Sequence, residues 1–228
     1  MMRGTRLGLL LLLLLLLLAS LAASAWFLAG RWTPARSEYP VQGIDVSHHQ
    51  GAIDWGALPD QGVDFGYIKA SEGGDHRDRL FAVNWEAAAA AGIERGPYHF
   101  FTLCRSGAEQ AANFIATVPL DPAALAPAVD LEHLGNCSRR LSRAAFHAEL
   151  ATFIQLVEAH FRKPVLLYLT EEFDRAYQVS VRVQRPLWLR SLVLSPDFGA
   201  RPWHLWQVSN FRRLRGIEGR VDWNVQRP

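Results

Sequence analysis

The sequence has little net charge and very little lysine. Its 24 basic and 22 acidic residues leave a formal net charge of +2, and lysine occurs only at positions 69 and 163. A balance so close to neutrality gives no reason to expect a nucleic acid as a partner. Arg212, Arg213, Arg215 and Arg220 form a local basic stretch, which fits either a solvated loop or contact with an anionic polymer.

Cysteine is also scarce, because the chain contains only Cys104 and Cys137. Each follows the end of a predicted strand by a few residues, so parallel neighbouring strands would place both cysteines in adjacent loops. An oxidising compartment permits a disulfide between them. Such a bridge closes a loop of about 34 residues and contributes about 3–4 kcal/mol in the chain-entropy model. Two unpaired buried thiols are the alternative.

The histidines show no metal-binding spacing. His48, His49 and His99 follow no ligand motif. Adjacent residues of a strand, such as His48 and His49, point to opposite faces. We therefore expect neither a metal site nor a cofactor.

The N-terminus carries the long hydrophobic run of the chain. Arg3 and Arg6 precede ten leucines, Leu9 to Leu18, and positions 7–30 contain no charge. This span is about 36 Å long as a helix, which favours an uncleaved transmembrane anchor whose N-terminus lies inside. The residues Ala23-Ser24-Ala25 instead match a signal-peptide cleavage site. Both alternatives export the rest of the chain to the periplasm or the extracellular face.

Eight segments rich in β-branched and aromatic residues predict strands. They are Gly43–Ser47, Phe65–Ser71, Gly96–Phe101, Ala126–Leu131, Pro164–Thr170, Leu187–Leu192, His204–Ser209 and Val221–Val225. Helical patterns separate the earlier strands at 78–91, at 106–118, where Ser106 and Glu109 form a capping box, and at 142–161. This alternation predicts parallel βα units and an α/β fold.

The length of the chain restricts the kind of α/β fold. A signal peptide or anchor at 1–30 and a linker at 31–40 leave residues 41–228 for one domain. A full (β/α)8 barrel takes about 250 residues, so we predict an irregular TIM-like barrel that lacks some helices in its second half. In such barrels the active site lies at the C-terminal ends of the strands.

Five acids lie on or just after these predicted strands. Asp130 and Glu132 are two residues apart and therefore share one face of a strand, where two acids are costly to bury unless they do chemistry or bind a cation. Asp45 lies in the first strand, Glu72 follows the second and Asp222 lies in the last. Closure of the barrel makes the first and last strands neighbours, which would bring Asp45 and Asp222 together.

Aromatic residues accompany the acids and indicate a sugar polymer as the substrate. They are Tyr98, Tyr168, Trp188, Trp206 and Trp223. Two carboxyl groups can cleave a glycosidic bond. The alternatives for the acids are a structural ion pair or a hydrogen-bonded strand end at Asp130 and Glu132, and turn or capping roles at Asp45 and Asp222. Core packing is the alternative for the tryptophans.

Seven segments in order, between about residues 43 and 226, resemble glycoside hydrolase family 25, the Chalaropsis-type lysozymes. They are DVSHHQG at 45–51, DW at 54–55, YIKASEG at 67–73, GPYHF at 96–100, DLE at 130–132, WQ at 206–207 and VDWN at 221–224. The resemblance implies an irregular barrel of eight strands and about five helices. It also implies hydrolysis of the β-1,4 bond between N-acetylmuramic acid and N-acetylglucosamine in peptidoglycan.

The resemblance assigns roles to individual residues. Glu132 matches the general acid, and the other active-site carboxylates are Asp45, Asp130 and Asp222. Substrate-binding positions at strand ends match Tyr98, Tyr168, Trp188 and Gln207, and a secondary acid of the N-terminal signature matches Glu72. The chain departs from the family pattern at Gly74-Asp75-His76, at Leu169 after Tyr168, and at Arg190, where a small residue is frequent. These departures concern the walls of the groove.

Other functions and reaction routes remain open at this point. One alternative is a membrane-tethered peptidoglycan-binding module without turnover, and another is a hydrolase of a different N-acetylated glycan such as chitin. The anomeric carbon can be attacked by a protein carboxylate, by the acetamide of the substrate or by water. The expected partners are peptidoglycan strands and, if the N-terminal helix is uncleaved, the membrane. A monomer is expected.

Overall fold

The computed structural model describes residues 2–228, without the side chains of residues 2–9, 25–27 and 29. A helix, α1 (Met2–Ala29), precedes the barrel and carries exposed leucines from Leu10 to Leu18. None of the helices in the described chain combines the length and the apolar character needed to cross a membrane. The side chains of Arg3, Arg6 and Ala25, on which the predictions of topology and cleavage depend, lie outside the described residues.

The rest of the described chain alternates strands with helices. The strands are β1 (Gln42–Val46), β2 (Phe65–Glu72), β3 (His76–Arg77), β4 (Glu94–Phe100), β5 (Ala128–Leu131), β6 (Leu166–Thr170), β7 (Leu187–Arg190), β8 (Leu205–Arg212) and β9 (Val221–Gln226). The α-helices are α2 (Phe81–Ala90), α3 (Gly107–Thr117), α4 (Arg143–Phe161), α5 (Glu171–Tyr177) and α6 (Val179–Arg182). All eight predicted strands are confirmed, and the short β3 is an addition.

Eight of the strands close into a barrel in the order β1–β9–β8–β7–β6–β5–β4–β2, with β2 pairing again with β1. Pairs between β1, β2 and β4 to β8 are parallel, whereas β9 runs antiparallel to both of its neighbours. Asp222 near the start of β9 therefore lies at the edge where the parallel strands end, and it pairs in register with Asp45. The predicted proximity of these two residues is confirmed.

The side chains of the barrel form two separate cores because alternate residues of a strand point to opposite faces. The inner core contains Phe65, Tyr67, Tyr168 and Trp188, and the larger outer core lies between the barrel and the helices. A Cβ atom at Gly96 would lie 2.5 Å from the ring of Tyr67, so the glycine makes room for this ring. Large aromatic side chains thus fill the barrel below the end at which the parallel strands finish.

The helices that follow β4 and β5 begin where the sequence indicates. The capping box of Ser106 and Glu109 at the start of α3 is confirmed, and Ser142 caps α4 by accepting a hydrogen bond from the Ala145 N–H. A Cβ atom at Gly107 would lie 1.9 Å from the carbonyl oxygen of Glu149, so the two helices approach each other at backbone distance. This contact holds α3 and α4 as one layer over the barrel.

The segment 31–40, which the sequence analysis treats as a linker, lies against the barrel. Arg36 forms an ion pair with Asp64 at 2.9 Å. The ring of Tyr39 lies 6.0 Å from that of Trp203. The Gln42 side chain donates to the carbonyl oxygen of Tyr39 at 2.9 Å. These contacts connect the segment to the barrel wall at several points.

A disulfide joins Cys104 to Cys137, as the loop positions predict. The two cysteines lie in the loops that follow β4 and β5, with their Cα atoms 6.2 Å apart. These loops flank the end of the barrel at which Glu132 lies. The bridge therefore holds two loops at the same edge of the sheet.

Replacement of both cysteines in Cys104→Ala/Cys137→Ala is expected to lower the free energy of unfolding by about 3–4 kcal/mol, because the bridge constrains a long loop of the unfolded chain. Urea unfolding followed by tryptophan fluorescence measures the change. Wild-type protein under reducing conditions is the matched control and should unfold like the double variant. Equal stability of the oxidised wild type and the variant would contradict a stabilising bridge.

Candidate active site

A pocket of about 210 Å³ opens at the end of the barrel where the parallel strands finish. Its lining residues come from seven strands and the loop after β5. They are Asp45, Tyr98, Asp130, Glu132, Leu134, Tyr168, Trp188, Arg190, Gln207, Asn210 and Asp222. The structure thus brings together all four predicted catalytic carboxylates and four of the five predicted substrate-binding residues.

The alternation of β5 places two of the acids in this pocket. Asp130 and Glu132 both line it, whereas Val129 and Leu131 are fully buried in the outer core. The prediction that the two acids share a face is therefore confirmed. The Oδ1 atom of Asp130 is buried and has no hydrogen-bond partner among the described residues. This oxygen is available to a ligand that enters the pocket.

A network of hydrogen bonds orients the carboxylate of Asp45. Its Oδ2 atom accepts from Gln207 Nε2 at 2.9 Å and from Asn224 Nδ2 at 2.7 Å. The hydroxyl of Tyr168 donates to Gln207 Oε1 at 3.0 Å, and Trp188 Nε1 donates to Asn224 Oδ1 at 2.8 Å. Because an indole N–H is only a donor, it directs the oxygen of Asn224 towards Trp188 and the NH2 group towards Asp45. Two donors on one oxygen favour the ionised form of Asp45.

Burial raises the pKa values of all four carboxyl groups. It raises the pKa of Asp45 from 3.8 to about 6, although the amide donors from Asn224 and Gln207 lower it. It raises the pKa of Glu132 from 4.5 to about 7, and the positive charge of Arg190 opposes this rise. The pKa values of Asp130 and Asp222 lie well above 3.8, first through burial and then through the neighbouring charge of Glu132 or Asp45.

These shifts divide the acids by protonation state near neutral pH. Glu132, with a pKa of about 7, is close to half protonated there, whereas Asp45, with a pKa of about 6, is mostly ionised. Carboxyl groups whose environments separate their pKa values are suited to act as acid and base in one reaction. The pocket can therefore donate a proton from one carboxyl group and stabilise a positive charge with another.

Glu72 lies outside this pocket. It ends β2 and forms an ion pair with Lys69 at 2.7 Å. Two of the aromatic residues also lie elsewhere, because Trp206 and Trp223 belong to the outer core. Trp206 donates to the carbonyl oxygen of Ser191 at 2.6 Å, and Trp223 donates to Gln42 Oε1 at 2.8 Å. Both indoles therefore serve packing outside the barrel interior, in the outer core, rather than lining the pocket.

Two of the three histidines considered for a metal are in contact, because the rings of His48 and His49 lie 4.2 Å apart. Both belong to a short 3-10 helix (His48–Gln50), so the expectation that they point to opposite faces of a strand is wrong. His48 pairs with Asp78 at 2.9 Å. His99 is buried between Ser71 and Gln110, and burial lowers its pKa to about 3. Within the described chain, no group of three or more histidine, cysteine or acidic side chains is arranged to hold a metal ion.

The sequence analysis missed the role of Asn224 and assigned none to Arg190. Both residues face the site because each lies two positions along a strand from another inward-facing side chain. Asn224 follows Asp222 in β9, and Arg190 follows Trp188 in β7. Because side chains two positions apart in a strand share a face, the inward-facing Asp222 and Trp188 were the signal that could have identified Asn224 and Arg190.

Comparisons with known proteins find a matching family model and similar proteins of known structure. The chain matches the model of the glycosyl hydrolases family 25 over residues 44–217. Lysozyme M1 from Streptomyces globisporus is 32% identical over 198 residues, which cover 81% of this chain and 67% of that protein. A bacterial lysozyme structure from Streptomyces coelicolor is 33% identical with a TM-score of 0.76, over 82% of this chain and 91% of that one. A family 25 glycosyl hydrolase structure from Bacillus anthracis is 35% identical with a TM-score of 0.77, over 82% and 89%.

The raised pKa of Glu132 predicts a stability that depends on pH. The folded chain keeps this proton at pH values where the unfolded chain has released it, so the free energy of unfolding falls as the pH rises from about 4.5 to about 7. At about 1.4 kcal/mol per pKa unit, Glu132 accounts for about 3 kcal/mol of this fall. The variant Glu132→Gln cannot ionise and is expected to lack that part. Urea unfolding at a series of pH values measures the slope.

The control for this experiment is Glu171→Gln, which changes an acid on α5 that pairs with Arg175 outside the pocket. It should keep the wild-type dependence of stability on pH. A Glu132→Gln protein with the same slope as the wild type would show that Glu132 titrates normally in the folded chain.

Proposed function

The chain belongs to glycosyl hydrolases family 25, and we propose that it hydrolyses the β-1,4 bond between N-acetylmuramic acid and N-acetylglucosamine in peptidoglycan. The observation that carries this proposal is the pocket in which Glu132 retains a proton near neutral pH while Asp45 is held in its ionised form. The names of Lysozyme M1 and of the lysozyme from Streptomyces coelicolor support the choice of substrate.

Glu132 is proposed as the general acid. Burial keeps its carboxyl group protonated in the pH range in which an ordinary glutamate is ionised. It donates this proton to the glycosidic oxygen as the bond from that oxygen to the anomeric carbon breaks. The leaving sugar departs with a neutral hydroxyl group, and the positive charge collects on the remaining sugar ring. A water molecule that completes hydrolysis supplies hydroxide to the anomeric carbon and a proton to Glu132.

Asp45 is proposed to stabilise the positive charge on the sugar. Its Oδ2 atom is held by two amide N–H groups, so its position is determined before the substrate binds. Burial favours the protonated forms of Asp130 and Asp222, and in those forms they can donate hydrogen bonds to oxygens of the substrate, such as an acetamide carbonyl. Retention at the anomeric carbon would indicate attack by a carboxylate or by that acetamide, and inversion would indicate attack by water.

A binding module without turnover fits these observations less well. Four carboxyl groups with raised pKa values in a 210 Å³ pocket cost folding free energy, and a module that only binds sugar has no need of them. The pocket aromatics Tyr98 and Trp188 do not separate the two alternatives, because they can contact sugar in a hydrolase and in a binding module.

The proposed site of action lies outside the cytoplasm, because peptidoglycan is found there. The disulfide between Cys104 and Cys137 is consistent with an oxidising compartment. We propose that the N-terminal segment exports the barrel, either as a cleaved signal peptide or as an uncleaved anchor. The barrel is proposed to act as a monomer on the periplasmic or extracellular face.

The variant Glu132→Gln tests the general acid. Loss of the proton donor is expected to lower kcat/KM on cell-wall suspensions by about 100-fold or more, because general acid catalysis contributes about 10²–10⁴-fold. The clearing rate of a suspension measures the effect, and mass spectrometry should find wild-type products that end in reducing N-acetylmuramic acid. Glu171→Gln serves again as the control and should clear the suspension at the wild-type rate. Clearing by Glu132→Gln at that rate would exclude the assigned role.

The two pKa values predict a bell-shaped pH profile of kcat/KM. Activity should fall below about pH 6, where Asp45 gains a proton, and above about pH 7, where Glu132 loses one. Asn224→Ala removes one donor from ionised Asp45, so its pKa should rise and the acidic limb should move to higher pH. Asn210→Ala, which changes a pocket amide without a hydrogen bond to Asp45, should leave that limb in place. An unmoved limb in Asn224→Ala would show that Asp45 does not determine it.

A further inference from the structure

Arg190 brings a positive charge into the pocket of acids. It is the last residue of β7 and faces inwards like Trp188, two residues before it. The sheet register pairs Arg190 with Thr170 and Leu131 with Leu169, so Arg190 and Glu132 lie at the same level of the barrel. Their strands are two positions apart, which separates their backbones by about 10 Å. A sugar substituent between these strands would contact both residues.

The guanidinium group of Arg190 makes no hydrogen bond and no ion pair with the described residues, since no carboxylate of that part of the chain lies within 4.0 Å of it. It is also the one cation among the described residues that line the pocket. The neighbouring Lys69 is occupied by Glu72. Five N–H donors of a planar group therefore face the pocket without an acceptor.

The pocket acids are not the ion-pair partners of this cation. If Arg190 served mainly as their counterion, an ion pair with Glu132, Asp45 or Asp222 would be expected. No such ion pair is present among the described residues, and burial favours the neutral forms of these acids, so the guanidinium keeps its hydrogen-bonding capacity for a ligand. A guanidinium with open donors is suited to a planar anion, which it binds through two parallel hydrogen bonds.

The proposed substrate carries such an anion at one of its two sugars. N-acetylmuramic acid bears a lactyl ether that ends in a carboxyl group, and N-acetylglucosamine bears none. The carboxyl group is a free carboxylate in glycan strands without peptides, whereas in peptide-bearing strands it is consumed in an amide bond. A cation in the pocket therefore distinguishes these two forms of the polymer, and it also distinguishes peptidoglycan from a neutral glycan such as chitin.

We propose that Arg190 is a specificity-determining residue that binds the free lactyl carboxylate of a muramic acid residue, so that the enzyme prefers glycan strands from which the peptides have been removed. This inference rests on the proposed function. The reaction that supplies the preferred substrate is then hydrolysis of the amide bond between the lactyl group and the peptide.

Two substrates that differ only in this charge test the proposal. Glycan strands are stripped of peptides, and half of the sample is coupled to methylamine with a carbodiimide, which turns each lactyl carboxylate into a neutral amide. Release of reducing ends at pH 6 gives kcat/KM for both. Wild-type enzyme should prefer the free-acid strands by roughly 10-fold or more, since a hydrogen bond to a charged group contributes to that extent.

Three variants separate specificity from other roles. In Arg190→Met, kcat/KM on the free-acid strands should fall roughly 10-fold or more relative to kcat/KM on the amidated strands, so the preference of the wild type is lost. The ratio of the two values is the readout, because any effect of Arg190 on the pKa values of Asp45 and Glu132 acts on both substrates alike. Arg190→Lys keeps the charge without the planar fork and should retain part of the preference. Arg175→Met removes an arginine that pairs with Glu171 outside the pocket and should leave the preference unchanged.

Each other outcome overturns the inference. Equal kcat/KM values of the wild type on the two substrates would show that the pocket does not distinguish the carboxylate from the neutral amide. Equal losses of Arg190→Met on both substrates would show that Arg190 acts through the protonation of Glu132 or through folding. Failure of the wild type to cleave either substrate would contradict the proposed function itself, and the assignment of Arg190 with it.

Discussion

The antiparallel pairing of β9 with both β1 and β8 is the constraint on which the rest of the structure depends. It closes the barrel, so no strand of the ring is left with unpaired backbone groups. It also turns the start of β9 towards the edge at which the parallel strands end, where Asp222 lies beside Asp45. Two residues further along, Asn224 donates to Asp45 from the same strand. The pairing that completes the fold therefore also completes the site.

The closed barrel then determines the electrostatics of the site. Aromatic side chains such as Tyr67 and Trp188 fill its interior and keep water away from the base of the pocket. Carboxyl groups above this layer are poorly solvated, and their pKa values rise because the charged forms lose hydration. The amides of Gln207 and Asn224 compensate for this loss at Asp45 alone. Burial of the other carboxyl groups without such donors costs folding free energy, and a cost of this kind is common at active sites.

Much of the fold follows from local patterns. The strands, the capping box of Ser106 and the shared face of Asp130 and Glu132 depend on interactions within a few residues, and sequence periodicity records such interactions. The disulfide followed from two loop positions and from the parallel order of β4 and β5. The direction of β9 was not indicated, because an isolated strand pattern reads the same whether its neighbours are parallel or antiparallel.

The sequence by itself determined which residues are candidates for the chemistry: acids and aromatic rings at strand ends, in the order of a known family. Only the tertiary structure decided how they act. In the folded chain Glu72 lies outside the pocket wall and Trp206 lies in the outer core. Arg190, whose guanidinium N–H groups have no acceptor among the described residues, lies among the acids of the pocket. The tertiary structure also separated the pKa values of four similar carboxyl groups. The physical reason is that burial and hydrogen-bond direction are properties of contacts between distant segments, such as Asp45 with Asn224, and no local pattern contains them.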